Sequence, residues 1–459
     1  MKNRFVVLLA VLLLCLIIFP VHLLYSGESV AKSGASWINI ALSGIPQTLI
    51  PWEVTDAVSL SICMSNVYET LFTYDNDRTQ IIPWLAVDYR IKNAGQVWVF
   101  TLRSGVRFHD GSIMTASDVV TSFKRNPRFT GDIRAIGNNK VEVSFSDKRA
   151  NFLESVTQLQ YSIARVSSDG KIYGTGPFYV AVWNPESEVV LKAFKDYWDG
   201  GVELDGARFL CAVDSLEAVK KLKDGEVDVV DIVQPEFVDM LEGDKDITVS
   251  VLHGVNLCFV HLNVSRPPLD SAEFRRALNI AIDKENLIKD IYKGHAVKAL
   301  SLIPRALGGS ESPYGDYGFD ISKAREIIKR YLHGQDRVFT MVGLPFPRPY
   351  CPNPQATSRL IAGYLRSAGI KIKYIPVHSF KDYDRYVMGD DFDFALSGWV
   401  MDSEDPDDFF TPIFGIGDVP AIFSHIWKSN EFESTILKAR RVVSLKSRWA
   451  YYNLSLIHI

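Results

Sequence analysis

The apolar positions change period several times along this chain, and each change marks a change of element. Trp37-Ile38-Asn39-Ile40 alternates as a first strand does. Over residues 56–72, Leu60, Met64, Val67 and Leu71 recur at helical spacing, which predicts one helix with a buried face. From Ile82 the period falls to two. Residues 97–102 read as a strand after Gly95, and Arg103-Ser104-Gly105 turns it into Val106-Arg107-Phe108. Thr115-Ala116-Ser117-Asp118 then fits a capping box, with Thr115 capping a helix through Val119, Val120 and Phe123 while Asp118 returns the bond.

Farther on, Gly174-Thr175-Gly176-Pro177 turns into a strand over 178–182, and residues 255–263 alternate as a strand in mid-chain. Phe274, Leu278 and Ile282 space one helix face, and Asp283 caps a second helix that Gly294 stops. An amphipathic helix over 321–332 precedes a strand over 338–344. That strand leads into a loop with five prolines between Pro345 and Pro354, whose pre-set dihedrals keep its side chains aimed. A helix over 357–368 and a strand over 370–375 follow. Residues 394–399 then read as a buried strand, with Gly398 marking a close approach of backbone. It delivers Asp402, Glu404, Asp405, Asp407 and Asp408 into a loop around Pro406, and loops on rigid scaffolds are where ligands are met.

At 459 residues, 47% hydrophobic and 23% charged, the chain exceeds what one core organises, so more than one lobe is expected. A formal net charge of -4, with no basic stripe, argues against a nucleic-acid partner. Lys2 and Arg4 precede an apolar run over 5–18 that continues past Pro20 and His22 to Tyr25. Ser29 with Ala31, or Ser33 with Ala35, suits cleavage. Residues 1–35 therefore read as a signal peptide or, because the run approaches spanning length, an N-terminal anchor. Leu14 stands before Cys15 where a lipidation motif needs a small residue. The other cysteines, Cys63, Cys211, Cys258 and Cys351, have neither metal nor redox spacing; they read as core residues, and one disulfide stays open. The nine histidines are dispersed and no nucleophile motif occurs, so no enzyme, cofactor or metal is expected.

Longer motifs stand beside these local readings. The run VWVFTLRSGVRFHDGSIMTASDVVTSF at 97–123 resembles the signature of the periplasmic solute-binding proteins of peptide ABC transporters, the family 5 dipeptide and oligopeptide binders. The likeness continues in family order. It runs through Gly174-Thr175-Gly176-Pro177-Phe178, Phe194-Lys195-Asp196-Tyr197-Trp198, residues 254–263, Phe274-Arg275-Arg276-Ala277-Leu278 and the acidic stretch after Trp399. The resemblance implies an α/β, two-lobed periplasmic-binding-protein fold of type II, with mixed sheets and an extra subdomain. Lobe I would be 36–254 with the subdomain at about 85–172, 255–263 a hinge crossover, and 264–459 lobe II. Two departures stand out. The segment between Arg125 and Tyr173 is shorter than in the family. The chain also stops at Ile459, inside what reads as the last long helix and before the return to lobe I that the resemblance implies. A C-terminally truncated or divergent relative with weakened stability or binding is the resulting expectation.

The resemblance also implies a site. In the dipeptide branch an arginine in an RPYxPN setting takes the peptide carboxylate, and the matching residue is Arg348. A GWxxD pattern there supplies backbone contacts, matching Trp399, Val400 and Met401, and a carboxylate for the peptide ammonium, matching Asp402. Thr55, near the first cleft loop, is a further candidate on a longer spacing. The chemistry agrees: a dipeptide is a zwitterion whose ends lie within about 7 Å, and an arginine fork donates two parallel bonds to a carboxylate. The function implied is a monomeric periplasmic component that captures short peptides and delivers them to an inner-membrane ABC permease. Glutathione, haem, nickel or longer peptides are the alternatives, as is a paralogue that has lost binding.

Overall fold

The computed structural model describes residues 4–8, 36–54, 56–75, 80–184, 186–211, 213–251, 254–304, 307, 315–401, 405–416, 427–442 and 444–456. The largest sheet has seven strands, in the order Phe178–Asn184, Glu188–Ala193, Gly206–Leu210, Trp37–Ala41, Val229–Val230, Arg4–Leu8, Ile247–Val251. Its first three strands pair antiparallel and the rest parallel. One apolar cluster gathers Ile40, Ile62, Phe178, Leu191 and Phe209, and another gathers Ala218, Leu222, Val238 and Leu241 from the helices Ser215–Asp224 and Pro235–Glu242. Arg4–Leu8 falls in the stretch expected as an export leader, and here it pairs along its whole length with Ile247–Val251. Residues 9–35 lie outside the described residues.

A second sheet is wholly antiparallel, in the order Ala86–Lys92, Val97–Leu102, Lys140–Ser144, Asp132–Ile136. The alternation expected at 97–102 is present, with Trp98, Phe100 and Leu102 facing inward. The helix Ala116–Arg125 starts on the predicted capping box of Thr115 and Asp118 and buries Val119 and Phe123 against that sheet's core. A third sheet runs Leu257–Leu262, Phe394–Trp399, Val338–Val342, Lys371–Ile375. It is antiparallel at the first pairing and parallel at the others. Helices Ala272–Ala281, Ile321–Leu332, Pro354–Ser367 and Phe380–Met388 contribute to the same core. There Phe339 stacks on both Phe274 and Phe394.

The helix expected over 56–72 is shorter than its periodicity. It runs Ala57–Cys63, capped by Asp56, and then stops. Ser65 takes φ 62°, outside the helical region, and the Asn66 amide donates to the carbonyls of Ser61 and Ile62. The spared residues meet the rest of the chain instead. Gly174 lies so close to this segment that a Cβ would fall 1.8 Å from the Val67 carbonyl oxygen. The neighbouring Glu69 is buried and accepts from Thr175 Oγ1, Tyr197 Oη and Trp84 Nε1, each at 2.7 Å, and from Trp198 Nε1 at 2.9 Å. Two motifs singled out in the sequence, 174–178 and 194–198, thus converge on one carboxylate. Burial raises its pKa to about 7 against the pull of those four donors.

Two helices close the described chain, Asn430–Ala439 and Leu445–Ser455, the second in the region read as the last long helix. They join distant parts of the chain. Arg448, fully buried, pairs with Asp405 at 2.9 Å and with Glu154 of the helix Phe152–Ser155, while the Arg440 carbonyl accepts from the Ala150 amide at 3.0 Å.

Candidate functional site

The site is built on the strand Phe394–Trp399 and the proline-rich loop beside it. Just before the strand, Asp393 accepts from the Thr340 amide at 2.8 Å and pairs with Arg337, which fixes the strand against its neighbour. Gly398 lies opposite Cys258. A Cβ at Gly398 would stand 2.4 Å from the Leu257 carbonyl oxygen and 2.4 Å from Cδ2 of Tyr350, so only glycine lets the loop close on the strand.

In that loop, Arg348 and Cys351 exchange backbone hydrogen bonds, Arg348 N to Cys351 O at 2.9 Å and Cys351 N to Arg348 O at 2.8 Å. Asn353 then caps the helix Pro354–Ser367 by accepting from the Ala356 amide at 3.0 Å. The Arg348 side chain is half-buried, with its guanidinium 5.3 Å from the centroid of Phe380. It hydrogen bonds the Tyr350 phenol, whose pKa burial pushes up to about 12 although Arg348 lowers it. Its Nε is buried without a hydrogen-bond partner, and no ion pair to Arg348 is found among the described residues. Beside it Phe346 and Phe380, both exposed, meet edge to face with centroids 6.1 Å apart.

Past Gly398 the chain passes over a small apolar cluster. Met401 is buried with Phe409 and Leu257, Trp399 packs on them, and Val400 is half-buried. The Met401 side chain therefore faces the core. Trp399 donates from Nε1 to Asp408 at 3.1 Å. Asp402 and Thr55 lie outside the described residues. Of the described acids that follow, Asp405 and Asp407 are buried. Asp405 accepts from Tyr452 Oη at 2.5 Å and pairs with Arg448, while Asp407 pairs with Arg440 at 2.9 Å and accepts from Thr411 at 2.7 Å. Burial raises the pKa of Asp405, opposed by Arg448.

The structure thus brings the Arg348 loop onto the Gly398–Trp399 segment through Tyr350. Sequence reasoning passed over Tyr350 and Phe380. Tyr350 had a signal in its place two residues after Arg348; Phe380, on another helix, had none.

Residues 80–420 match the family described as Bacterial extracellular solute-binding proteins, family 5 Middle. The chain belongs to this family. It is 26% identical over 443 residues to the dipeptide-binding protein of Escherichia coli (strain K12), covering 86% of this chain and 82% of that protein. It is also 24% identical over 453 residues to heme-binding protein A of Haemophilus influenzae, covering 90% and 82%. In three dimensions it is similar to the ABC transporter-associated periplasmic binding protein DppA of Helicobacter pylori, solved in complex with the peptide STSA. The TM-score is 0.79 at 25% identity, over 93% of this chain and 90% of that one. The family 5 protein accordingly has the α/β periplasmic-binding-protein fold that its motifs imply, and it is a binding protein, not an enzyme.

Proposed function

We propose that this family 5 protein is the extracytoplasmic substrate-binding component of a peptide ABC transporter, which captures short peptides, dipeptides above all, and delivers them to an inner-membrane permease. In this reading residues 1–35 direct export to the periplasm. Residues 255–263, which hold the strand Leu257–Leu262, are the hinge on which a lobe of 36–254 and a lobe of 264–459 close around the ligand, and the working unit is a monomer.

The observation that carries the reading is Arg348: half-buried, braced by a backbone turn, laid over Phe380, and with a buried Nε that has no partner. A buried donor left unsatisfied is costly, and an incoming carboxylate removes that cost with two parallel bonds. Asp402 takes the peptide ammonium, and the backbone of Trp399, Val400 and Met401 pairs with the peptide main chain as an added strand does. Thr55 supplies a further contact from the first cleft loop. Main-chain and terminal contacts of this kind give affinity that is blind to side-chain identity. The likeness to the dipeptide-binding protein of Escherichia coli supports the same reading.

Isothermal titration with Ala-Ala, N-acetyl-Ala-Ala and Ala-Ala-amide tests it. The free dipeptide is expected to bind and each blocked form to bind far more weakly. Equal affinity for all three, or none for the free dipeptide on folded protein, overturns the reading.

A further inference from the structure

Cys258 and Cys351 are 93 positions apart in number, yet their side chains pack in one core: Cys351 is buried there, and the less buried Cys258 lies against it from the strand Leu257–Leu262. The two thiols lie close enough that each shifts the titration of the other. Tyr292, which donates from its hydroxyl to the Tyr350 carbonyl at 2.8 Å, touches both sulfurs, and Cys351 Sγ lies 3.5 Å from Thr357 Oγ1. Hydrogen bonds from Cys258, Thr357 and Tyr292 hold the Cys351 thiol below its ordinary value, whereas the bond to Cys351 together with burial holds Cys258 above it. Cys63 and Cys211 sit in a different core, that of the seven-stranded sheet. Cys351 is also the residue whose amide and carbonyl both bond to Arg348, and Cys258 is paired with Gly398.

We propose that Cys258 and Cys351 are a redox pair that closes into a disulfide, stapling the Arg348 loop to the strand Leu257–Leu262. The consequence for binding rests on the function proposed above; the bridge itself does not. The oxidant is a protein disulfide of an exported dithiol oxidase, or a small disulfide. Access rather than acidity selects the first sulfur: the less buried Cys258 attacks the oxidant, its proton passes to the departing oxidant sulfur, and one oxidant thiol leaves. The Cys351 thiolate then attacks the Cys258 sulfur of the mixed disulfide, and the second oxidant thiol leaves. Two protein thiols have lost two protons and two electrons, and one oxidant disulfide has become two thiols. The closed bridge holds the turn that carries Arg348 against the strand that faces Gly398, so the cation is pre-positioned for its ligand.

The test uses the full chain treated with diamide or with a phosphine reductant. After diamide, proteolytic mapping is expected to recover a single peptide linked through Cys258 and Cys351. The oxidised protein should melt about 5 °C above the reduced one, a difference that Cys258→Ser abolishes. Ala-Ala should bind the oxidised form at least threefold more tightly than the reduced form. If the two cysteines remain separately alkylated after diamide, or Cys63 and Cys211 are linked in their place, the proposal is overturned. If the bridge forms and Ala-Ala fails to bind either form, the disulfide stands and the peptide reading falls.

Discussion

The Tyr350 ring lies against the bare α-carbon of Gly398, in a space where a Cβ would meet Cδ2 at 2.4 Å. This contact joins the loop that carries Arg348 to the strand that carries Trp399, so the geometry between the two halves of the candidate clamp depends on one missing methyl group. Gly398→Ala should push the loop away, costing about 1–3 kcal/mol of stability and at least tenfold in Ala-Ala affinity. Chemical denaturation and titration on the same preparation check both.

Within the fold the Arg348 side chain makes the bond to Tyr350 and the contact with Phe380, its Nε has no partner, and no ion pair to it is found among the described residues. Arg348→Ala should leave the melting temperature within a few degrees of the parent yet weaken free dipeptide at least a hundredfold, about 3 kcal/mol. Arg348→Lys should recover only part of the loss, because an ammonium lacks the planar fork. Equal binding by all three proteins would remove Arg348 from the site.

Arg448 is fully buried between two carboxylates, Asp405 and Glu154. Removing it leaves both without their cation, so Arg448→Met should destabilise the protein by about 3–5 kcal/mol. Adding Glu154→Gln and Asp405→Asn should restore much of that loss, since the charges left stranded are then gone. Denaturant midpoints of the single and triple variants decide the matter; an unchanged single variant would show the cluster to be inert.

Glu69 makes stability depend on pH in a defined direction. Its folded-state pKa, about 7, lies above the ordinary glutamate value of 4.5, because burial penalises the charged form. Between those values the folded state keeps a proton that the unfolded chain releases. Stability from this group is therefore greatest below pH 4.5, falls as pH rises through the window, and levels off above 7. Asp231, also raised to about 7 by burial, acts in the same direction. Glu69→Gln should flatten part of the decline from pH 5 to 8 in urea titrations. It should also lower stability by about 1–3 kcal/mol, because each carboxylate oxygen accepts from a tryptophan N–H and a Gln amide turns a donor toward one of them.

Pairing of Arg4–Leu8 with Ile247–Val251 should be visible in hydrogen exchange. Deleting residues 1–35 is expected to speed exchange of the Ile247–Val251 amides at least tenfold. Unchanged protection would mean that those amides are held without the N-terminal strand.

Local chemistry was legible in the sequence wherever neighbours along the chain decide the structure. The capping box of Thr115 and Asp118, the alternating strand Val97–Leu102, the buried strand Phe394–Trp399 and the need for glycine at 398 could all be read without coordinates, because dihedral preference and side-chain period report which face of an element is apolar. The same local logic failed at 56–72, where a helical period continued past Cys63 but Ser65 and the Asn66 side chain ended the helix. Nor could it supply the partners of Asp405 and Asp407, since Arg448 lies on a later helix and Arg440 just past another. Only the tertiary structure decided that Glu69 gathers donors as far as 129 residues away, that Phe380 lies beneath Arg348, and that Cys258 meets Cys351. Period and propensity carry no record of which remote face an element packs against; that is settled when separate apolar faces are buried together and every polar group enclosed with them must find a partner.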